Sequence, residues 1–141
     1  FEADYPFCQR GFNVSTEAAE SGKTSLKFTP DVAFSPSLIV QRSDIQEDTV
    51  RINMQVDIKA DKEFEMAVGF EIRDAADKQL KWFGGNIKVP HDPEFTWIKT
   101  FGNCTFPVNM IPEGGHVIVY LFNKDKQTFY ADNLEAELFG N

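Results

Sequence analysis

Hydrophobic and polar residues alternate along most of this chain. Val50, Ile52, Met54, Val56 and Ile58 are separated by Arg51, Asn53, Gln55, Asp57 and Lys59, which predicts a strand with one buried and one wet face. Phe64, Met66, Val68, Phe70 and Ile72 repeat the pattern against Glu65, Ala67, Gly69, Glu71 and Arg73. The polar segment 60–63 between them reads as a turn, so these two strands are expected to form a hairpin. Further strand-like runs cover 24–29, 36–42, 79–83, 95–102, 116–123 and 128–139. Turn signals stand at Ser21-Gly22, Gly84-Gly85-Asn86, Pro90-His91-Asp92-Pro93, Pro112-Glu113-Gly114-Gly115 and Asn123-Lys124-Asp125. Only 16–20 favours a helix, of one or two turns at most. Short strands at even spacing predict an all-β, two-sheet antiparallel β-sandwich, a jelly roll.

Composition narrows the class. With 141 residues, 42% of them apolar, the chain suits a single domain over 1–141, and its core needs no metal or disulfide merely to hold together. Its 14 phenylalanines exclude disorder, and no run approaches the roughly 20 apolar residues of a transmembrane segment. The net charge of −8, with basic residues scattered, disfavours a nucleic-acid partner. The chain opens at Phe1 without an initiator Met, so it is expected to be a mature or excised part of a longer exported protein. Cys8 and Cys104 permit one disulfide, and two free buried thiols are the equal alternative. Asn13-Val14-Ser15 and Asn103-Cys104-Thr105 fit the glycosylation sequon, at a frequency chance can supply.

Catalytic signatures are absent from the sequence. Gly22-Lys23-Thr24 has the tail of a phosphate-binding loop, but position 17 is Glu where the motif needs Gly, and a strand pattern follows. There is no nucleophile elbow, zinc-protease helix motif or dinucleotide fingerprint. His91 and His116, in a turn and at a strand start, read as surface residues. Glu65 and Glu71 share one strand face about 20 Å apart, too far for glycoside hydrolysis. A cross-strand pair of Asp57 with a Glu is open to that chemistry, and solvated strand charges explain the same residues. No catalytic residues are expected.

Read end to end, the landmarks resemble carbohydrate-binding-module jelly rolls of the galactose-binding-domain-like kind, in particular the group often attached to xylanases and glucanases. The residues that carry the resemblance are Phe1-Glu2, Gly11-Phe12, the segment from Ser21-Gly22-Lys23 to Leu26, Trp97, Pro112, 117–123 and Tyr130-Ala131-Asp132-Asn133-Leu134. They keep the family's order across nearly the whole chain, though each piece is short. The resemblance implies a structural calcium tying the first strand to the last, with Glu2, the Lys23 carbonyl and Asp132 as ligands; hard-cation chemistry suits those oxygens. The alternative is that Asp132 starts a turn or bulge and Glu2 is solvated. Trp97 is assigned to the core because the family's equivalent Trp is.

The resemblance also implies a noncatalytic role in holding a larger exported enzyme or surface protein near a glycan or polysaccharide, outside the cell or in the periplasm. Sugars need aromatic faces for their C–H faces and planar polar groups for their hydroxyls. The wet face of the expected hairpin offers Arg51, Asn53, Gln55 and Arg73 over a shallow floor at Ala67 and Gly69, with Trp82 and Tyr120 as stacking rings. If Val117, Val119 and Leu121 point inward, then His116, Ile118, Tyr120 and Phe122 form an outward apolar stripe that needs a cover. The competing reading is a structural or protein-interaction module of the same fold, docking a neighbouring domain through that stripe and binding no sugar.

Overall fold

The computed structural model describes residues 14–15, 20, 24–90 and 94–138. Glu2, Cys8, Asn13, Lys23 and His91, with most of the 16–20 segment, lie outside the described residues. Among the described residues nine strands are present: β1 (Val14–Ser15), β2 (Ser25–Phe28), β3 (Leu38–Gln41), β4 (Thr49–Lys59), β5 (Phe64–Arg73), β6 (Gln79–Val89), β7 (Ile98–Pro107), β8 (His116–Phe122) and β9 (Phe129–Leu138). They form two antiparallel sheets, in the order β1-β2-β9-β4-β7 and β3-β8-β5-β6. The expected β-sandwich is therefore present, and burial alternates clearly along β4 and β7, whereas β5 and β8 are buried on both faces.

Alternation places the core between the sheets. Val50, Ile52, Met54, Val56 and Ile58 from β4 face Phe64, Met66, Val68, Phe70 and Ile72 from β5, and all are buried. Phe129 anchors one end, stacked on Phe28 with centroids 4.4 Å apart and tilted against Phe64 at 4.7 Å. Each fully buried side chain of this size contributes about 1.5–3 kcal/mol from burial alone.

The expected hairpin of β4 and β5 does not form. Strand β4 pairs with β7 and β9, whereas β5 pairs with β6 and β8, so 60–63 is an arch that carries the chain from one sheet to the other. Ala60 is buried inside that arch, and Ile58 and Phe64 on either side of it belong to the one core between the sheets. Nor do Gly84, Gly85 and Asn86 make a turn. They continue β6, paired with Gly69, Val68 and Ala67, because β5 supplies a complete ladder on that side. The 95–102 run is shifted as well: β7 starts at Ile98 and runs on to Pro107.

Side-chain hydrogen bonds fasten the loops. Asn123 is 3% exposed, and its amide nitrogen donates to the carbonyls of Thr29, Val32 and Gln127 at 3.0, 3.3 and 2.8 Å. Its amide oxygen accepts the Gln127 N–H at 3.0 Å. One side chain thereby ties the 29–32 turn to the loop between β8 and β9.

Candidate functional site

The arch separates the residues that the sequence suggested would act together. Arg51, Asn53 and Gln55 lie on the outer face of the five-stranded sheet, while Arg73, Trp82 and Tyr120 lie on the outer face of the four-stranded sheet. A core about 10 Å thick stands between the two sheets, so one ligand cannot engage both sets. On its own face, Gln55 donates to the Glu135 carboxylate and is in register with Phe101, while Asn53 is in register with Asn103. These three residues do not share a face with Arg73, Trp82 and Tyr120.

The outer face of the four-stranded sheet is built around two glycines. Gly69 on β5 and Gly84 on β6 are directly paired, and Tyr120 on β8 is the partner of Gly69 on the other side. With no side chains on these positions, the rings beside them lie down on the backbone. A methyl group on Gly69 would meet the Tyr120 ring at 2.5 Å, and one on Gly84 would meet the Trp82 ring at 1.9 Å. The indole N–H of Trp82 donates to the Tyr120 hydroxyl at 3.1 Å, joining the two rings edge to edge. Trp82 is 48% exposed, so it is a surface ring and not a core residue.

Two phenylalanines extend the aromatic surface. Phe34, in the loop before β3, stacks on Phe122 at 5.1 Å and meets Tyr120 edge-on at 5.6 Å. It is 55% exposed. Ala67 forms the floor between Phe122 and the exposed amide of Asn86, with which it shares a row. The outward stripe on β8 is confirmed in direction, but Ile118 and Tyr120 are buried and Phe34 covers part of the rest. It is not an open docking patch.

Polar groups close one end of this face. The buried Glu71 carboxylate accepts Arg73 Nη2 at 3.1 Å. Arg73 Nη1 bonds Asp77 at 3.1 Å, and Asp77 bonds His116 Nε2 at 2.9 Å. Burial, reinforced by Glu71, pushes the Tyr120 hydroxyl up to about 12, while the bonds from Arg73 and then His116 hold the Asp77 carboxyl below its ordinary range. Arg73 is thus engaged by Glu71 and Asp77 within the protein.

Phe34, Phe122, Glu71 and Asn86 belong to this face but were not named from sequence as site residues. Phe122 was visible in the stripe, and the others required the pairing. Trp97 is half-buried outside the central core cluster, with Lys59 Nζ 6.0 Å from its ring centroid. The core assignment is corrected.

The carboxylates considered for hydrolysis are occupied. Asp57 is next to Asp132 across β4 and β9, but it pairs with Lys99 at 3.1 Å and accepts the Asn133 amide at 2.8 Å. Glu65 pairs with Lys124 at 3.3 Å. Asp132 is fully buried and accepts the backbone N–H groups of Glu20 and Asn133, both at 2.8 Å. Of the three expected calcium ligands it alone lies among the described residues, which contain no group of three or more His, Cys, Asp or Glu side chains able to hold a metal ion. None of the helices there is long and apolar enough to cross a membrane.

No family model matches the chain, and no curated protein matches it in sequence. Solved structures do. The chain is similar to the CBM22-2 xylan-binding domain of Paenibacillus barcinonensis Xyn10C, with 12% identity and a TM-score of 0.61 over 96% of this chain and 94% of that one. It is also similar to the CBM22-1 xylan-binding domain of the same protein, with 19% identity and a TM-score of 0.57 over 91% and 80% of the two chains. At these identities the likeness is one of fold: the chain has the jelly roll of carbohydrate-binding modules.

Proposed function

We propose that this domain is a noncatalytic carbohydrate-binding module that engages a glycan or polysaccharide on the outer face of its four-stranded sheet. The observation that carries the reading is the Trp82 ring, half-exposed, lying flat over Gly84 and hydrogen-bonded to Tyr120 over Gly69. A flat aromatic surface takes the C–H face of a sugar ring, and the Asn86 amide beside it suits a sugar hydroxyl. Phe34 and Phe122 offer a second apolar contact along the same face. Such a site is shallow and wet, so micromolar to millimolar Kd values are expected, on the order of −4 to −8 kcal/mol.

The same reading entails an exported protein and neighbouring domains in a longer parent. It also keeps calcium as a structural ion near Asp132, whose buried carboxylate is suited to a hard cation. An ion there would supply folding energy but no chemistry.

The test is affinity electrophoresis through gels cast with soluble plant, bacterial and animal polysaccharides, comparing wild type with Trp82→Ala and Phe101→Ala. Phe101 is 56% exposed on the opposite face and serves as the control. Retardation kept in Phe101→Ala and lost in Trp82→Ala supports the reading. Retardation by none of the polysaccharides, or loss only in Phe101→Ala, overturns it, and the interaction module then becomes the better account.

A further inference from the structure

Strand β6 ends one side of the four-stranded sheet. It pairs with β5 in unbroken register from Lys81 to Val89, and among the described residues no strand pairs with its other edge. In an antiparallel sheet every second residue of such a strand turns its N–H and C=O groups away from its neighbour. No proline interrupts β6, so those groups stand in a continuous row. Only Ile87 and Val89 are buried on it. Leu80 and Trp82 are about half-exposed, and a methyl group on Gly85 would meet nothing within 4 Å.

The charge of this edge is opposite to that of the molecule. Segment 78–89 holds Lys78, Lys81 and Lys88 and no Asp or Glu, in a chain of net charge −8. Lys88 reaches Glu63 only at 4.0 Å, with both side chains well exposed, and Lys81 Nζ lies 5.8 Å from the centroid of the Phe83 ring. Lysines on an edge strand discourage pairing with a like strand. Two β6 edges would bring together three lysines from each copy, in molecules that already repel, so a second copy is a poor occupant. An acidic strand meets the same lysines with attraction.

We propose that β6 is a strand-addition site, on which an extended peptide segment of another protein, carrying Asp or Glu, pairs with the free edge. Main-chain hydrogen bonds supply the affinity, and carboxylates beside Lys81 and Lys88 with apolar side chains beside Leu80 and Trp82 supply the selectivity. The proposal does not rest on the carbohydrate reading, although the added strand would lie alongside Trp82.

The probe is a fluorescein-labelled peptide matched in length to 81–89, with two Glu at each end and alternating Val and Thr between. The same peptide with Lys for every Glu, and polygalacturonate, are run beside it. Fluorescence anisotropy gives the affinity, and 15N–1H spectra with amide exchange give the location. The Glu peptide should bind, shifting and protecting amides of 81–89 while those of 38–41 on the opposite edge stay unmoved. Combining Lys81→Glu with Lys88→Glu, both at exposed positions, should weaken it about three- to tenfold at unchanged Tm, the scale of two exposed ion pairs.

No binding at millimolar peptide, or binding that leaves 81–89 unmoved, overturns the site and leaves the lysines as guards of a bare edge. Equal binding of the Lys peptide overturns the acidic partner. Shifts in 81–89 produced by polygalacturonate and not by the Glu peptide overturn the proposal in favour of an acidic glycan. A dimer in sedimentation equilibrium that disappears in the double variant overturns it in favour of a second copy.

Discussion

Gly69 and Gly84 stand directly opposite each other on β5 and β6, and an aromatic ring occupies the space above each. The two positions nevertheless differ in what a methyl group would cost. Tyr120 over Gly69 is buried and bonded at its hydroxyl, whereas Trp82 over Gly84 is half-exposed and can swing outward. Gly69→Ala is therefore expected to cost about 1–3 kcal/mol by overpacking, seen as a lowered Tm. Gly84→Ala should leave Tm within a few degrees of wild type while shifting Trp fluorescence and abolishing polysaccharide retention. Equal Tm losses in the two variants would contradict this division.

Asn123 predicts a large effect far from any ligand. Replacing it with Ala removes its bonds to three carbonyls and to the Gln127 N–H in a nearly closed site, although the Thr29 carbonyl keeps the Val32 N–H, at a cost of about 2–3 kcal/mol. Thermal unfolding should show a Tm drop of about 5–10 °C. Asn123→Asp should be worse than Ala, because its carboxylate would face the same three carbonyls. An Asp variant as stable as wild type would show that those donors contribute little.

Asn133 is held at a φ of 51°, at the irregularity where β9 shifts register against β4. Left-handed backbone is mild for Asn and free for Gly, but strained for β-branched residues. Asn133→Gly should lose the bond to Asp57, roughly 0.5–1.5 kcal/mol, without adding backbone strain. Asn133→Val loses that bond and adds strain of about 1–3 kcal/mol. Denaturant midpoints for the two variants check the order.

Two buried acids make stability fall at high pH. Burial raises the Cys104 thiol from 9.0 to about 11, and burial with Glu71 raises the Tyr120 hydroxyl from 10.0 to about 12. The folded state holds both protons more tightly than the unfolded state does, so their contribution is intact below pH 9 and is lost as pH rises through about 11 to 12. Denaturant titrations at pH 8, 10 and 11 should show this decline. It should be smaller in Tyr120→Phe, which has no hydroxyl to ionise.

Alternation was enough to sort inward from outward on β4, β5 and β8, because a side-chain period of two is a property of the strand itself. It could not assign partners. A short polar segment serves equally as a hairpin turn within one sheet or as an arch between two, and 60–63 is the second. That single choice sent Arg51, Asn53 and Gln55 to the far side of the molecule. Trp82 and Tyr120 were found by residue type, and their meeting over paired glycines depends on a β5–β6 register that Gly84 and Gly85 disguised as a turn.

The arch also bears on how the protein is made. Strand β4 has no partner near it in sequence: Gln55 pairs with Phe101 and Glu135, and β2 reaches the sheet only through β9. As the chain leaves the ribosome, the five-stranded sheet lacks its middle until 129–138 has emerged, and a long loop must close before β2, paired locally with β1, can join the rest of the sheet. Nascent chains stopped before β9 should present open strand edges to chaperones rather than a partly built sandwich.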